Sequence, residues 1–143
     1  MQLFKLVLVA SLIDSTFAQA PKGVTATRLY SGTDGETHAE EINLSQVTGA
    51  NGTQPDLLKG EGVRFATRGP GTTDDWHVTP RRQYLITLKG RVEIEVGGGK
   101  KVTAGPGSVL LIEDLTGKGH RAKVVSDDEW HVMFISLPTP AKQ

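Results

Sequence analysis

From about residue 24 onwards the chain is written in short runs of alternating apolar and polar residues, punctuated by glycine, proline and acidic turns. Residues 24–30 and 37–44 read as the first two strands, with Gly32-Thr33-Asp34-Gly35 as the hairpin turn between them. On the second of these, His38, Glu40 and Ile42 share one face while Ala39, Glu41 and Asn43 share the other. Residues 48–60, rich in Gly, Asn, Thr and Pro, read as a loop. A strand with alternating apolar positions follows at 63–67, and residues 69–75 read as the turn into Trp76 and His77. Residues 84–88 and 92–96 read as a hairpin joined at Lys89-Gly90, with Val92, Ile94 and Val96 inward and Arg91, Glu93 and Glu95 towards water. Gly97–Gly99 turns the chain into a strand at 100–103, and Gly105-Pro106-Gly107 turns it again. Residues 109–112 are apolar without interruption, as expected of a strand buried on both faces. Strands at 120–125 and 131–137, separated by the acidic turn 126–129, complete the pattern. Nine or ten short strands, with no window of sustained helical periodicity, predict an all-β, single-domain jelly roll.

The first twenty residues follow a different rule. Lys5, an apolar run from Leu6 to Ile13, and small residues at Ala18 and Ala20 have the layout of a secretory signal peptide. Residues 1–18 are assigned to it, with cleavage after Ala20 as the alternative, and the run is too short for a bilayer anchor. The mature chain then divides into N-terminal strands and loop at 19–60 and a barrel core at 61–138. Secretion makes Asn43 and Asn51 candidate N-glycosylation sites, since each opens an Asn-x-Ser/Thr sequon without proline. Sixteen basic and sixteen acidic residues cancel, which leaves no electrostatic footprint for nucleic acid or an anionic membrane surface. Cysteine is absent, so disulfides, thiol nucleophiles and cysteine-ligated metals are excluded.

The candidate chemistry lies in two stretches, WHVTPRRQYLITLKG at 76–90 and GPGSVLLIEDLTGKGH at 105–120. Each carries a histidine at a strand end, and His77 and His120 are expected to converge on one pocket. Two imidazoles with an oxygen donor can hold a divalent metal. Gln83 offers an amide oxygen, Glu113 or Asp114 a carboxylate, and His38 or His131 a further nitrogen. The same residues without a metal form a polar cluster able to abstract and return protons. A third reading makes Asp114 or Glu113 a cap of the turn before His120. Trp76, Tyr84 and Trp130 suit an aromatic wall around a small organic ligand, and Arg81 or Arg82 suits a clamp for its carboxylate. The string Gly97-Gly98-Gly99-Lys100 lacks the strand-to-helix setting of a phosphate loop.

The two stretches together resemble the paired motifs of the cupin superfamily, G-x5-H-x-H-x3-4-E-x6-G and G-x5-P-x-G-x2-H-x3-N. On that alignment His77 takes the first histidine, Thr79 stands at the second, Gln83 at the glutamate and Gly90 at the closing glycine. His120 takes the histidine of the second motif. The resemblance spans roughly residues 65–137 and implies a cupin double-stranded β-helix of the conserved-barrel type. It also implies a metal-dependent oxidoreductase or dioxygenase acting on a small organic molecule, with one Fe, Mn, Ni or Zn ion on His77, His120 and Gln83. Fungal relatives of this kind are described as oxidoreductases of secondary metabolism. Two of the four usual ligands are replaced here, which keeps open a metal-free isomerase or cyclase and a non-catalytic binding or storage protein. Catalytic roles are assigned to His77, Gln83, Glu113, Asp114 and His120, and substrate contacts to Trp76, Arg82 and Tyr84. A homodimer is the expected assembly.

Overall fold

Strand order follows from which faces must be buried together. The computed structural model describes residues 23–44 and 58–138. Ten strands make two sheets: β1 Thr25–Ser31, β2 Thr37–Asn43, β3 Gly62–Arg68, β4 Thr73–His77, β5 Gln83–Lys89, β6 Val92–Glu95, β7 Lys101–Ala104, β8 Val109–Glu113, β9 His120–Val124 and β10 Trp130–Ser136. The larger sheet runs β2-β1-β8-β5-β10-β3 and the smaller runs β4-β9-β6-β7. Leu29, Leu85, Leu110, Ile112, Trp130 and Val132 from the first face Val92, Ile94, Val96, Ala104 and Val124 from the second, and their burial closes the core. This is the jelly roll expected from the sequence. The proposed leader at 1–18, its alternative cut after Ala20, the Asn51 sequon and most of the 48–60 loop lie outside the described residues.

Two expectations need correction. The segments 84–88 and 92–96 do not form a hairpin: β5 pairs with β8 and β10, whereas β6 pairs with β7 and β9. Gly90, at φ 70°, carries the chain from one sheet to the other, and a Cβ there would stand 2.5 Å from the Glu129 carbonyl oxygen. Residues 69–75 are not all turn, because β4 begins at Thr73. That strand escapes an apolar-alternation reading because its sequence, Thr-Asp-Asp-Trp-His, has a polar inward face.

The alternation of β3 is present, with its larger apolar residues on the outer face. Val63 and Phe65 point outward, 59% and 68% exposed, while Arg64 and Arg68 sit opposite the inward-facing Phe134 and Trp130 of β10. An amphipathic strand that turns its arginines, Arg64 exposed and Arg68 half-buried, to the barrel side has a reason beyond packing, and the reason is the cavity those arginines border.

Candidate functional site

The site lies between the sheets at the end where β4 meets β9. Their pairing slips between Asp74 and His77: Asp74 faces Ala122, and His77 faces His120. Three residues along β4 therefore match two along β9, a bulge that returns His77 to the same side as Asp74. The close approach needs a glycine before β9, since a Cβ on Gly119 (φ 78°) would stand 2.0 Å from the His77 carbonyl oxygen. The result is a pair of imidazoles with ring centroids 4.6 Å apart and planes inclined at 55°. His120 is inside, 6% exposed, and His77 lies at the open rim.

Hydrogen bonding fixes which nitrogen of each ring is available. Nδ1 of His77 is 2.7 Å from the carbonyl oxygen of Asp75, which can only accept, so Nδ1 carries the proton. Nδ1 of His120 is 2.6 Å from Oδ2 of Asp114, and a carboxylate oxygen likewise accepts. In the neutral imidazoles Nε2 is then the nitrogen with a bare lone pair, and both rings border one cavity of about 200 Å³. Asp114 stands behind His120, 0% exposed, and its Oδ2 also accepts from the Thr37 hydroxyl at 3.1 Å. Its other oxygen, Oδ1, is buried without a hydrogen-bond partner among the described residues.

The two departures from the cupin motif prove to be one linked replacement. The Thr79 hydroxyl donates to the carbonyl oxygen of Arg81 at 2.9 Å, so towards Gln83 it can only accept. Gln83 accordingly presents its amide nitrogen to Thr79 Oγ1, at 3.1 Å. Where two metal ligands would stand, the chain has a buried pair joined by one hydrogen bond. Among the described residues no three His, Asp or Glu side chains come together as a metal-holding group.

The other candidates fall elsewhere, for reasons of strand parity. Trp76, one residue before the inward His77, faces out beneath Lys118 Nζ, 4.0 Å from the ring centroid, and Arg121. Glu113, one residue before the inward Asp114, lies on the outer face between Arg28 and Arg82, with Arg82 Nε donating to it at 2.7 Å. Arg82 and Tyr84 line a separate outer groove with Leu111 and Leu137. None of Trp76, Arg82, Tyr84 and Glu113 borders the histidine cavity. His38 pairs with Asp34 and His131 with Glu129, both away from it. Trp130 does line the cavity, its indole N–H donating to Thr87 Oγ1 at 3.1 Å. Sequence reasoning passed over Thr37, Arg64 and Arg68, although the arginines on the alternate positions of 64–68 were the available signal.

Burial alone would raise the Glu113 carboxyl, but hydrogen bonds from Arg82 and Arg28 outweigh it and hold the group below its ordinary value of 4.5. The unfolded chain therefore takes up this proton at a higher pH than the folded one. The stability Glu113 contributes at neutral pH is lost as the pH falls below its ordinary value and through the depressed folded one. Glu113→Gln is expected to flatten the acid limb of the melting-temperature profile, from the ordinary carboxylate value downwards, while leaving the cavity intact. A parallel acid limb in parent and variant would show that the clasp contributes nothing to stability.

No curated protein matches the chain. Among solved structures it is similar to a cupin 2 conserved barrel domain protein from Salinispora arenicola CNS-205, at 17% identity and TM-score 0.45 over 54% of this chain and 62% of that one. It is also similar to a conserved protein with a double-stranded beta-helix domain from Klebsiella pneumoniae subsp. pneumoniae MGH 78578, at 20% identity and TM-score 0.45 over 56% and 69%. A Rhizobium leguminosarum bv. viciae 3841 protein of unknown function aligns over 97% of this chain and 100% of its own, at 15% identity and TM-score 0.45. The chain spans less than two thirds of the Salinispora protein. The family model described as Cupin domain matches residues 64–136, half of the sequence and all of the strands that build the cavity, and the chain belongs to that cupin family.

Proposed function

We propose that the barrel binds a small organic molecule in the cavity and moves a proton on it with His77 and His120, as an isomerase, cyclase or dehydratase would. The observation that carries this is the pair of bare Nε2 lone pairs on rings 4.6 Å apart, with a buried carboxylate behind one of them. A base with an oriented Nδ1–H accepts a proton at Nε2, and the resulting imidazolium is stabilised by Asp114. The imidazolium so formed returns the same proton from Nε2 to another atom of the ligand, while the second ring accepts a hydrogen bond from the ligand at its own Nε2. Leu85, Ile94, Ile112, Trp130 and Phe134 limit water around the reacting groups. The test is wash-in of solvent deuterium into a panel of small carbonyl compounds and organic acids. Parent protein is expected to label one of them in the presence of a chelator, and neither His77→Ala nor His120→Ala to do so. Labelling that vanishes with the chelator would sink proton transfer as the activity, and labelling by neither parent nor variants would leave a binding protein.

A divalent ion is the second reading, favoured by the same two lone pairs. His77 and His120 would hold Fe, Mn, Ni or Zn with Gln83 as the remaining protein donor, and the ion would supply Lewis acidity or redox chemistry. The set lacks the carboxylate of the two-histidine facial triad, because Asp114 is behind His120 and Asp74 pairs with Arg68 at 2.8 Å. An oxidoreductase role belongs to this reading.

Secretion and glycosylation are proposed on the leader and the sequons alone. A homodimer is proposed on β3, which among the described residues is an edge strand of the larger sheet, with outward Val63 and Phe65 exposed beside its open backbone edge. Phe65→Glu is expected to convert a dimer to a monomer in sedimentation equilibrium at micromolar concentration, with the melting curve of the single barrel preserved. A parent protein already monomeric under those conditions would remove the dimer.

A further inference from the structure

We infer that the cavity's ligand is a small carboxylate with a compact apolar body, held by Arg64. The inference rests on the reading above only in taking the histidine cavity as the ligand site. Two arginines border the cavity, and they are not equivalent. Arg68 Nη1 lies 2.8 Å from Asp74, which occupies its charge. Arg64 makes no ion pair among the described residues, and its guanidinium lies 4.3 Å above the centre of the Phe134 ring. This cation–π contact restrains the group without using its N–H donors, and a planar guanidinium can meet a carboxylate with two parallel hydrogen bonds.

The rest of the lining sets the body of the ligand. Trp130, Phe134, Leu85 and Ile112 offer apolar surface, and the Nε2 lone pairs of His77 and His120 reject a second anionic end. At about 200 Å³ the space is below the range of drug-sized pockets, roughly 300–1,000 Å³. Apolar cavities of about 150 Å³ accept benzene. A single ring or a chain of comparable bulk bearing one carboxylate fits both limits. A phosphate ester would bring more charge than one unpaired guanidinium can meet. The pattern of β3 acquires a purpose on this assignment. It turns Arg64 to the ligand and leaves Phe65 outside.

Benzoate and the neutral benzyl alcohol form the probe pair, titrated into parent, Arg64→Gln and Arg68→Gln proteins by calorimetry, with His ring signals followed by NMR. Parent protein is expected to prefer benzoate, with both His77 and His120 signals shifting. Arg64→Gln is expected to weaken benzoate about tenfold or more, the loss typical of a charge-assisted pair, without changing benzyl alcohol. Arg68→Gln should weaken it far less. Arg64 is at an exposed edge, so its replacement leaves the core intact, and matching melting curves check this. Equal binding of benzoate to parent and Arg64→Gln, or benzyl alcohol binding as tightly as benzoate, overturns the assignment. Benzyl alcohol shifting both rings while benzoate does not would overturn the carboxylate and keep the cavity as ligand site. Shifts from neither probe would overturn the carboxylate assignment, and deuterium wash-in would still judge proton transfer separately.

Discussion

Asp114→Asn is expected to keep the barrel at least as stable as the parent while removing most proton-transfer activity. The carboxylate is fully buried, yet only Oδ2 is hydrogen-bonded, to Thr37 and His120, and Oδ1 has no partner among the described residues. An unsatisfied buried acceptor costs about 1–3 kcal/mol, more when charged. Asparagine keeps the shape and removes the charge, so the melting temperature should hold or rise. What asparagine cannot do is stabilise an imidazolium at His120 or fix its Nδ1–H tautomer with equal strength. Activity should then fall by roughly 10²–10⁴-fold, the usual contribution of a positioned acid-base group. Ring ¹⁵N shifts of His120 should move from one tautomer towards a mixture, a readout that does not need the substrate. A variant that melts many degrees lower with unchanged His120 shifts would make Asp114 a packing residue and nothing more.

The second large effect is expected from restoring the replaced motif positions together. Thr79→His with Gln83→Glu should convert the chain from weak or no retention of metal to about one divalent ion per chain, because four donors of the usual kind then surround one point. Gln83→Glu alone should give an intermediate affinity, since the Thr79 hydroxyl would turn from Arg81 to the new carboxylate and occupy one of its oxygens. Metal content after dialysis, measured by elemental analysis, reads the outcome. No gain in the double variant would mean that the cavity's backbone, rather than its two changed side chains, departs from a metal-binding cupin.

Much of the barrel was legible because its strands obey the period-two rule where they touch the core. Val92, Ile94 and Val96 were placed inward from sequence and are each 1% exposed. Connections were less legible: the chain between β5 and β6 has the glycine of a hairpin but crosses between sheets, and local turn chemistry does not distinguish the two. For the site, motif spacing brought His77, Gln83 and His120 together, and it left Glu113 and Asp114 undivided. Parity separates them, since adjacent residues of a strand face opposite ways and only Asp114 follows the inward Ile112. The same parity turns Trp76 out once His77 is inward, whereas the bulge that puts Asp74 on the side of His77 is not written in any residue type there.

Strand β3 leaves a mark on the molecule's energy landscape. A slip of one residue against β10 would turn Val63 and Phe65 to the barrel side and Arg64 and Arg68 away from it, a register that hydrophobicity alone prefers. The native register is therefore locally frustrated, upheld by the Arg68–Asp74 pair and the stacking of Arg64 on Phe134. Amide exchange in β3 should accordingly report a shallower free-energy well than in β5 or β8 at the centre of the same sheet. An anion that engaged Arg64 would deepen that well, so occupancy of the cavity and order at the sheet's edge become a single thermodynamic variable.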